Sequence, residues 1–176
     1  MPKTESALVI LVPEAEPLVQ SVRERFDPSA ALGVPAHVTL LYPFIAPERI
    51  GAETLDAVAV CFRGFAPIAF SLTQVRRFPT ETLYLAPAPD EPFRNLTRAI
   101  WDRFPETPPY GGAWPDIVPH LSVGRFADAG DLERAADEFT RASQTALPIR
   151  AHASTAVLLV NTTGRWVIGP TFRLGN

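Results

Sequence analysis

A short pattern occurs twice in this chain, and it restricts the fold more than any other feature. Pro35-Ala36-His37-Val38-Thr39-Leu40 is echoed by Val118-Pro119-His120-Leu121-Ser122-Val123, each with a histidine, an apolar residue, a hydroxyl residue and an apolar residue in that order. Side chains alternate between faces along a β-strand. As strands, the two segments set His37 beside Thr39 and His120 beside Ser122 on one face. Val38, Leu40, Leu121 and Val123 then go to a core on the other. The chain holds three histidines, and two of them fall in the pattern, a coincidence on the order of one in a thousand from composition.

The remaining segments supply a scaffold for two such strands. The run Ala7-Leu8-Val9-Ile10-Leu11-Val12 reads as a strand buried on both faces, closed by Pro13. Apolar residues at helical spacing predict helices over residues 14–26, 47–62, 92–104 and 131–143. Strand-like runs cover 37–45, 68–75, 82–86, 149–160 and 165–173. The last two are joined by Asn161-Thr162-Thr163-Gly164, and the middle pair by the turn 76–81. Each half thus reads strand, helix, motif strand, helix, closing strands, which favours α+β architecture over parallel βαβ units. The Pro- and Gly-rich stretch 105–119 is a long loop of the kind that often carries function.

Composition narrows the class. With 176 residues, 47% hydrophobic and 20% charged, the chain is expected to form a single soluble domain over residues 1–176. A net charge of -3 argues against a protein that grips long duplex nucleic acid, though a local arginine cluster can still serve one phosphate. The lone cysteine, Cys61, excludes an intramolecular disulfide. The start Met1-Pro2-Lys3-Thr4-Glu5-Ser6 lacks the blocks of a secretory leader, and no apolar run approaches membrane-spanning length. A cytoplasmic monomer is the expectation.

The paired motifs resemble the signature of the 2H phosphoesterase superfamily, which includes the RNA 2',3'-cyclic phosphodiesterases also called 2'-5' RNA ligases. The resemblance extends to Phe70-Ser71-Leu72, Phe78-Pro79 and Leu83-Tyr84-Leu85, in the family's usual order. It implies two pseudo-symmetric lobes, with antiparallel sheets and flanking helices, around a central groove. Across that groove His37 and His120 would face one phosphodiester, the small nucleotide or RNA end that serves as substrate. No cofactor or metal is implied. A neutral imidazole can take a proton while a charged one gives it, near neutral pH. Thr39 and Ser122 would donate to the non-bridging oxygens, where charge builds in the transition state. Such a site would hydrolyse 2',3'-cyclic phosphates and, run backwards, form 2'-5' linkages. The two histidines are alike in the sequence, so neither is marked as acid or base.

Other residues carry weaker signals. Family members place an arginine three residues beyond the second hydroxyl, the position of Arg125 here. Strict alternation turns Arg125 away from Ser122 unless Gly124 allows a bulge. Tyr42 occupies the corresponding place in the first motif and reads as core or as a ring against a base. Trp114, in the long loop, is a candidate for stacking on a base. Arg76 and Arg77 read as solvated charge, Phe78 and Cys61 as packing, and His152 as an ordinary strand residue. Three competing readings remain: a nucleotide or RNA-end binding module without catalysis, a metal hydrolase lacking visible ligand spacing, and a scaffold in which the motifs are only strand sequence.

Overall fold

The structure, a computed structural model, describes residues 4–79 and 81–176. Residues 1–3, in the segment read as leaderless, and Thr80, in the turn 76–81, lie outside the described residues. Among the described residues eight strands form two four-stranded antiparallel sheets. The first sheet contains β1 (Glu5–Leu11), β2 (His37–Leu41), β7 (Thr155–Asn161) and β8 (Trp166–Arg173), in the order β2-β1-β7-β8. The second contains β3 (Ile68–Arg77), β4 (Thr82–Ala88), β5 (Leu121–Arg125) and β6 (Ile149–Ala153), in the order β5-β4-β3-β6. Both motif strands, β2 and β5, are therefore outer strands.

The buried run of β1 has its reason in this order. Held between β2 and β7, the strand feeds Leu8 and Ile10 into the main core, while Ala7 and Val9 join a smaller cluster with Val34, Val157 and Leu159. Among the described residues five α-helices flank the sheets: α1 (Glu16–Phe26), α2 (Pro28–Ala31), α3 (Ala52–Arg63), α4 (Glu91–Arg103) and α5 (Ala129–Ser143). The helix expected over 47–62 is split: Pro47–Arg49 forms a short 3-10 turn, and Gly51 then caps α3. In α4, Pro92 sits in the first turn, where its missing N–H goes unused, and Phe93, Leu96 and Ile100 are buried at helical spacing. The Asp128 carboxylate accepts from the N–H groups of Gly130 (2.9 Å) and Asp131 (3.0 Å) at the start of α5, a cap worth about 1 kcal/mol.

One expectation is overturned. The run 149–160 is not one strand: the chain leaves the second sheet at Ser154 and enters the first, so β6 and β7 belong to different sheets. The burial pattern gives the reason. β6 is an edge strand whose outward residues Arg150 and His152 are exposed, whereas β7 is an inner strand buried continuously from Ala156 to Leu159. A second, smaller difference concerns the first motif strand, which stops at Leu41 rather than near Ile45; Pro43 has no N–H to give a ladder.

The helices cross over. α1 follows β1 of the first sheet but packs on β5 of the second, and α4 follows β4 but packs on β2. Phe26, ending α1, meets Phe126 just past β5 with ring centroids 4.8 Å apart. Phe104, just past α4, meets Phe44 just past β2 at 5.2 Å, edge to face. Each such pair adds about 0.5–1.5 kcal/mol beyond its buried area. This exchange brings β2 and β5 into contact. No helix among the described residues is long and apolar enough to cross a membrane.

Candidate active site

Each motif histidine is held by its own backbone. His37 Nδ1 lies 2.8 Å from the carbonyl oxygen of Pro35, and His120 Nδ1 lies 2.7 Å from that of Val118. A carbonyl only accepts, so Nδ1 carries the hydrogen in both rings and Nε2 is left for other work. Neutral, such a nitrogen takes a proton; protonated, it gives one. Burial drives the His37 pKa down to about 4, with the positive charges of Arg23 and His120 acting in the same direction and the Pro35 bond and Asp27 against it. Burial also lowers His120, opposed by its bond to Val118. A charge on His120 is thus felt at His37.

The segments that deliver the histidines are tied down by paired devices. From α1, Arg23 donates through Nη2 to the carbonyl of Val34 at 3.0 Å and through Nε to Asp27 at 2.9 Å. From α4, Arg94 donates through Nη1 to the carbonyl of Ile117 and through Nε to Asp90 at 2.8 Å. Both carbonyls stand three residues ahead of a motif histidine. The Arg23 side chain is only 3% exposed and the Arg94 side chain 30%. The first segment has a further tie, with the Ala36 N–H donating to Glu16 Oε1 at 2.6 Å.

A bulge follows the hydroxyl in each motif strand. Across β4 and β5, Tyr84 opposes Ser122 and Leu83 opposes Gly124, which leaves Val123 as the extra residue. Across β1 and β2, Val9 opposes Thr39 and Leu8 opposes Leu41, which leaves Leu40. Opposed residues share a face, so the bulge reverses the later parity and Arg125, opposite Thr82, shares the face of Tyr84 and Ser122. Its guanidinium makes a two-pronged ion pair with Glu81 at 2.9–3.1 Å and stays 63% exposed. Gly124 makes the bulge feasible: a Cβ there would meet the Phe126 ring and Phe26 Cβ at 3.0 Å. Tyr42 packs with the smaller cluster and meets Trp166 edge-on at 6.2 Å, the core reading of that residue.

Aromatic rings surround His120. Phe78 meets it edge to face at 5.1 Å and stacks on Tyr84 at 4.5 Å, while Tyr84 approaches it at 5.5 Å. Phe78, read from sequence as packing alone, therefore packs against the imidazole itself. The loop 105–119 supplies another ring, Tyr110, stacked on His120 at 6.4 Å and 25°. Its N–H donates to the Tyr42 carbonyl at 2.6 Å, and burial pushes its phenol pKa up, with Thr39 opposing the rise. The pattern of the sequence does not single out Tyr110; the available signal was Tyr-Gly-Gly, a string suited to left-handed turns. Trp114, 64% exposed, lines a recess of about 510 Å³, open mouth included, together with Thr39, Trp101, Tyr110 and Asp116. Arg76 opposes Tyr84 and so stands on the face of Ser122, two strands away, with Arg77 on the other face. His152 lies on β6, at the far edge of the sheet from β5.

Among the described residues no group of three or more His, Cys, Asp or Glu is placed to hold a metal ion. Two four-stranded antiparallel sheets with flanking helices make the α+β fold LigT-like, the fold of a superfamily of phosphoesterases that are usually enzymes. The chain belongs to the 2'-5' RNA ligase superfamily, whose sequence model matches residues 11–165. The fold is similar to that of Escherichia coli LigT complexed with 3'-AMP, at 14% identity and TM-score 0.64, over 98% of this chain and 99% of that one. It is also similar to TT0787 of Thermus thermophilus, at 15% identity and TM-score 0.65, with 98% and 99% covered. A comparison with curated proteins finds no match.

Proposed function

We propose that this protein is a metal-independent phosphodiesterase that opens 2',3'-cyclic phosphates on RNA ends or small nucleotides by two-histidine acid–base catalysis. The observation that carries the reading is the identical tautomer of His37 and His120, each with Nδ1 tied to the carbonyl two residues back. Both then offer Nε2 as the working nitrogen. His37, its pKa driven down to about 4 by burial, is neutral at pH 7 and takes the base role: it accepts a proton from water as the water oxygen bonds to phosphorus. His120 becomes an imidazolium when the phosphodiester anion sits beside it, since an opposite charge raises its pKa. It gives its proton to the ribose oxygen as the P–O bond breaks, leaving a phosphomonoester. Thr39 and Ser122 donate to the non-bridging oxygens. With a ribose 5'-hydroxyl in place of water, the same steps form a 2'-5' linkage: His37 takes the 5'-hydroxyl proton as its oxygen bonds to phosphorus, and His120 protonates the departing 3'-oxygen.

The shared face of Arg125 and Ser122 supports an added cation near the phosphate once Glu81 releases it. Crystal structures of LigT with 3'-AMP and with phosphate support a nucleotide-sized ligand. The test is hydrolysis of nucleoside 2',3'-cyclic monophosphates in EDTA by the parent, His37→Ala and His120→Ala. Each substitution is expected to lower kcat by about 10²–10⁴-fold, while nucleoside monophosphate binding survives. Activity that needs an added metal, or that persists without either imidazole, overturns the mechanism. Binding without turnover in the parent makes the groove a nucleotide-binding module instead.

A further inference from the structure

The strands of the second sheet carry four arginines, Arg76, Arg77, Arg125 and Arg150, and no aspartate or glutamate. The whole chain holds 19 acidic residues against 16 basic ones, so positive charge is concentrated here against the general balance. The register shows which arginines stand together. Arg76 opposes Tyr84, which opposes Ser122. Four residues along β4 from Tyr84, Ala88 opposes Ser71, and Ser71 opposes Arg150. Opposed residues share a face, so Arg76 and Arg150 join Arg125 on the face of Ser122, and Arg77 alone takes the other.

That face suits an extended polyanion. Arg76 and Arg150 are exposed, and among the described residues neither has an ion pair, whereas Arg125 has Glu81. The Arg76 Nε donates to Gln74 Oε1 at 2.9 Å, which steadies the fork and leaves both Nη groups, the donors that match phosphate oxygens. Between Arg76 and Arg150 the floor is low, made of Ser71, Ala86 and Ala88. Strand spacing and rise put the Cα of Arg76 about 10 Å from that of Ser122, and the Cα of Arg150 about 20 Å from it. The two cations thus step outward from the motif over the length of a few nucleotides. The first sheet offers no such exit. On its face beside Thr39, Val9, Val157 and Leu159 are buried and packed with Val34, Tyr42 and Trp166.

We infer that the open face of the second sheet is a phosphate track: Arg76, and beyond it Arg150, hold backbone phosphates of a single-stranded oligoribonucleotide whose cyclic phosphate end lies between His37 and His120. This rests on the phosphodiesterase reading above and names the substrate as a chain end rather than a lone nucleotide.

The test compares a nucleoside 2',3'-cyclic monophosphate with a tetraribonucleotide that ends in the same cyclic nucleotide. In the parent, kcat/KM is expected to be about tenfold higher for the tetranucleotide at 50 mM salt, and most of that advantage should be gone at 200 mM, as two single-strand phosphate contacts require. Arg76→Gln and Arg150→Gln should each cut the ratio of the two kcat/KM values about threefold, through KM, and lower its log–log salt slope by about 0.7. Arg77→Gln removes the same charge from the other face and should leave the ratio as it is. Equal kcat/KM for both substrates in the parent, or a ratio that R77Q lowers as much as R76Q, overturns the track and leaves the two-histidine reading standing. If the parent hydrolyses neither substrate, the catalytic reading falls, and binding of a fluorescent tetranucleotide with a 3'-phosphate is measured in the same variants. Weaker binding in R76Q and R150Q but not in R77Q supports the track, and equal affinities overturn it. A parent that neither turns over nor binds the tetranucleotide removes both readings.

Discussion

The two motif strands are mounted by the same parts in different surroundings. On each side a helix arginine, paired four residues away with an aspartate, grips the carbonyl three residues before the histidine. On each side Nδ1 is locked to the carbonyl two residues back, and a bulge follows the hydroxyl. The first mount is sealed, with Arg23 and Asp27 buried and Val9, Val157 and Leu159 sharing the face of Thr39. The second is open: Arg94 is half-exposed, and Tyr84, Arg76 and Arg125 share the face of Ser122. The difference teaches how one duplicated pattern can yield two unlike imidazoles. The His37 pKa is held down to about 4 by burial, with the Arg23 charge acting in the same direction, and His120 stands ringed by aromatics beside polar side chains.

If that contrast is right, equivalent substitutions should give unequal results. Arg23→Met leaves Asp27 buried without its partner and the Val34 carbonyl without its donor, and should cost about 3–5 kcal/mol of unfolding free energy, measured by urea denaturation at pH 7. A loss near that of its counterpart Arg94→Met would break the comparison. Proton linkage is the next lever. His37 has a folded pKa of about 4 against an ordinary value of 6.5, so between those values the unfolded state binds more protons. Stability should therefore fall as pH drops from 6.5 to 4, by about 2–3 kcal/mol, and be regained as pH rises. His37→Asn should remove the part of that slope that His37 contributes, and His120→Asn the part that its own lowered pKa contributes. Urea midpoints at several pH values read both.

The bulges offer a smaller asymmetry. The first strand carries Leu41, fully buried, at the place where the second carries Gly124. Gly124→Ala should cost about 1–3 kcal/mol by overpacking against Phe126 and Phe26, read as a lowered Tm. It should also turn Arg125 from its pairing with Glu81. Arg94→Met comes last, at about 1 kcal/mol or less, because its ion pair is partly in water.

These contrasts mark where the sequence could be read. The apolar run of β1, the spacing of Phe93, Leu96 and Ile100 in α4 and the doubled motif all follow local periodicity, which burial enforces residue by residue. Arg125 was ambiguous because one extra residue, Val123, reverses strand parity, and only Gly124 hinted at it. The change of sheets at Ser154 was hidden in a run with no proline or glycine to mark it. Only the shift from alternating Arg150 and His152 to the solid Ala156–Leu159 stretch betrays it. Arg23 and Arg94 each look like solvated helix pairs, since sequence spacing cannot say that a loop carbonyl will land on them. Tyr110 was out of reach for the same reason: a loop's landing place has no period.

The crossing at Ser154 also sets an order of events during synthesis. The second sheet can pair β3, β4 and β5 once residues up to Arg125 have emerged, whereas β1 must wait for β7, whose register begins opposite Val9 at Val157. A ribosome adding roughly 5–20 residues per second therefore leaves that edge of β1 without its partner until β7 has emerged. The strand next to His37 gains one neighbour, β2, soon after it is made and the other, β7, much later. The sheet that carries His37 is thus completed only when β7 comes back to lie beside β1.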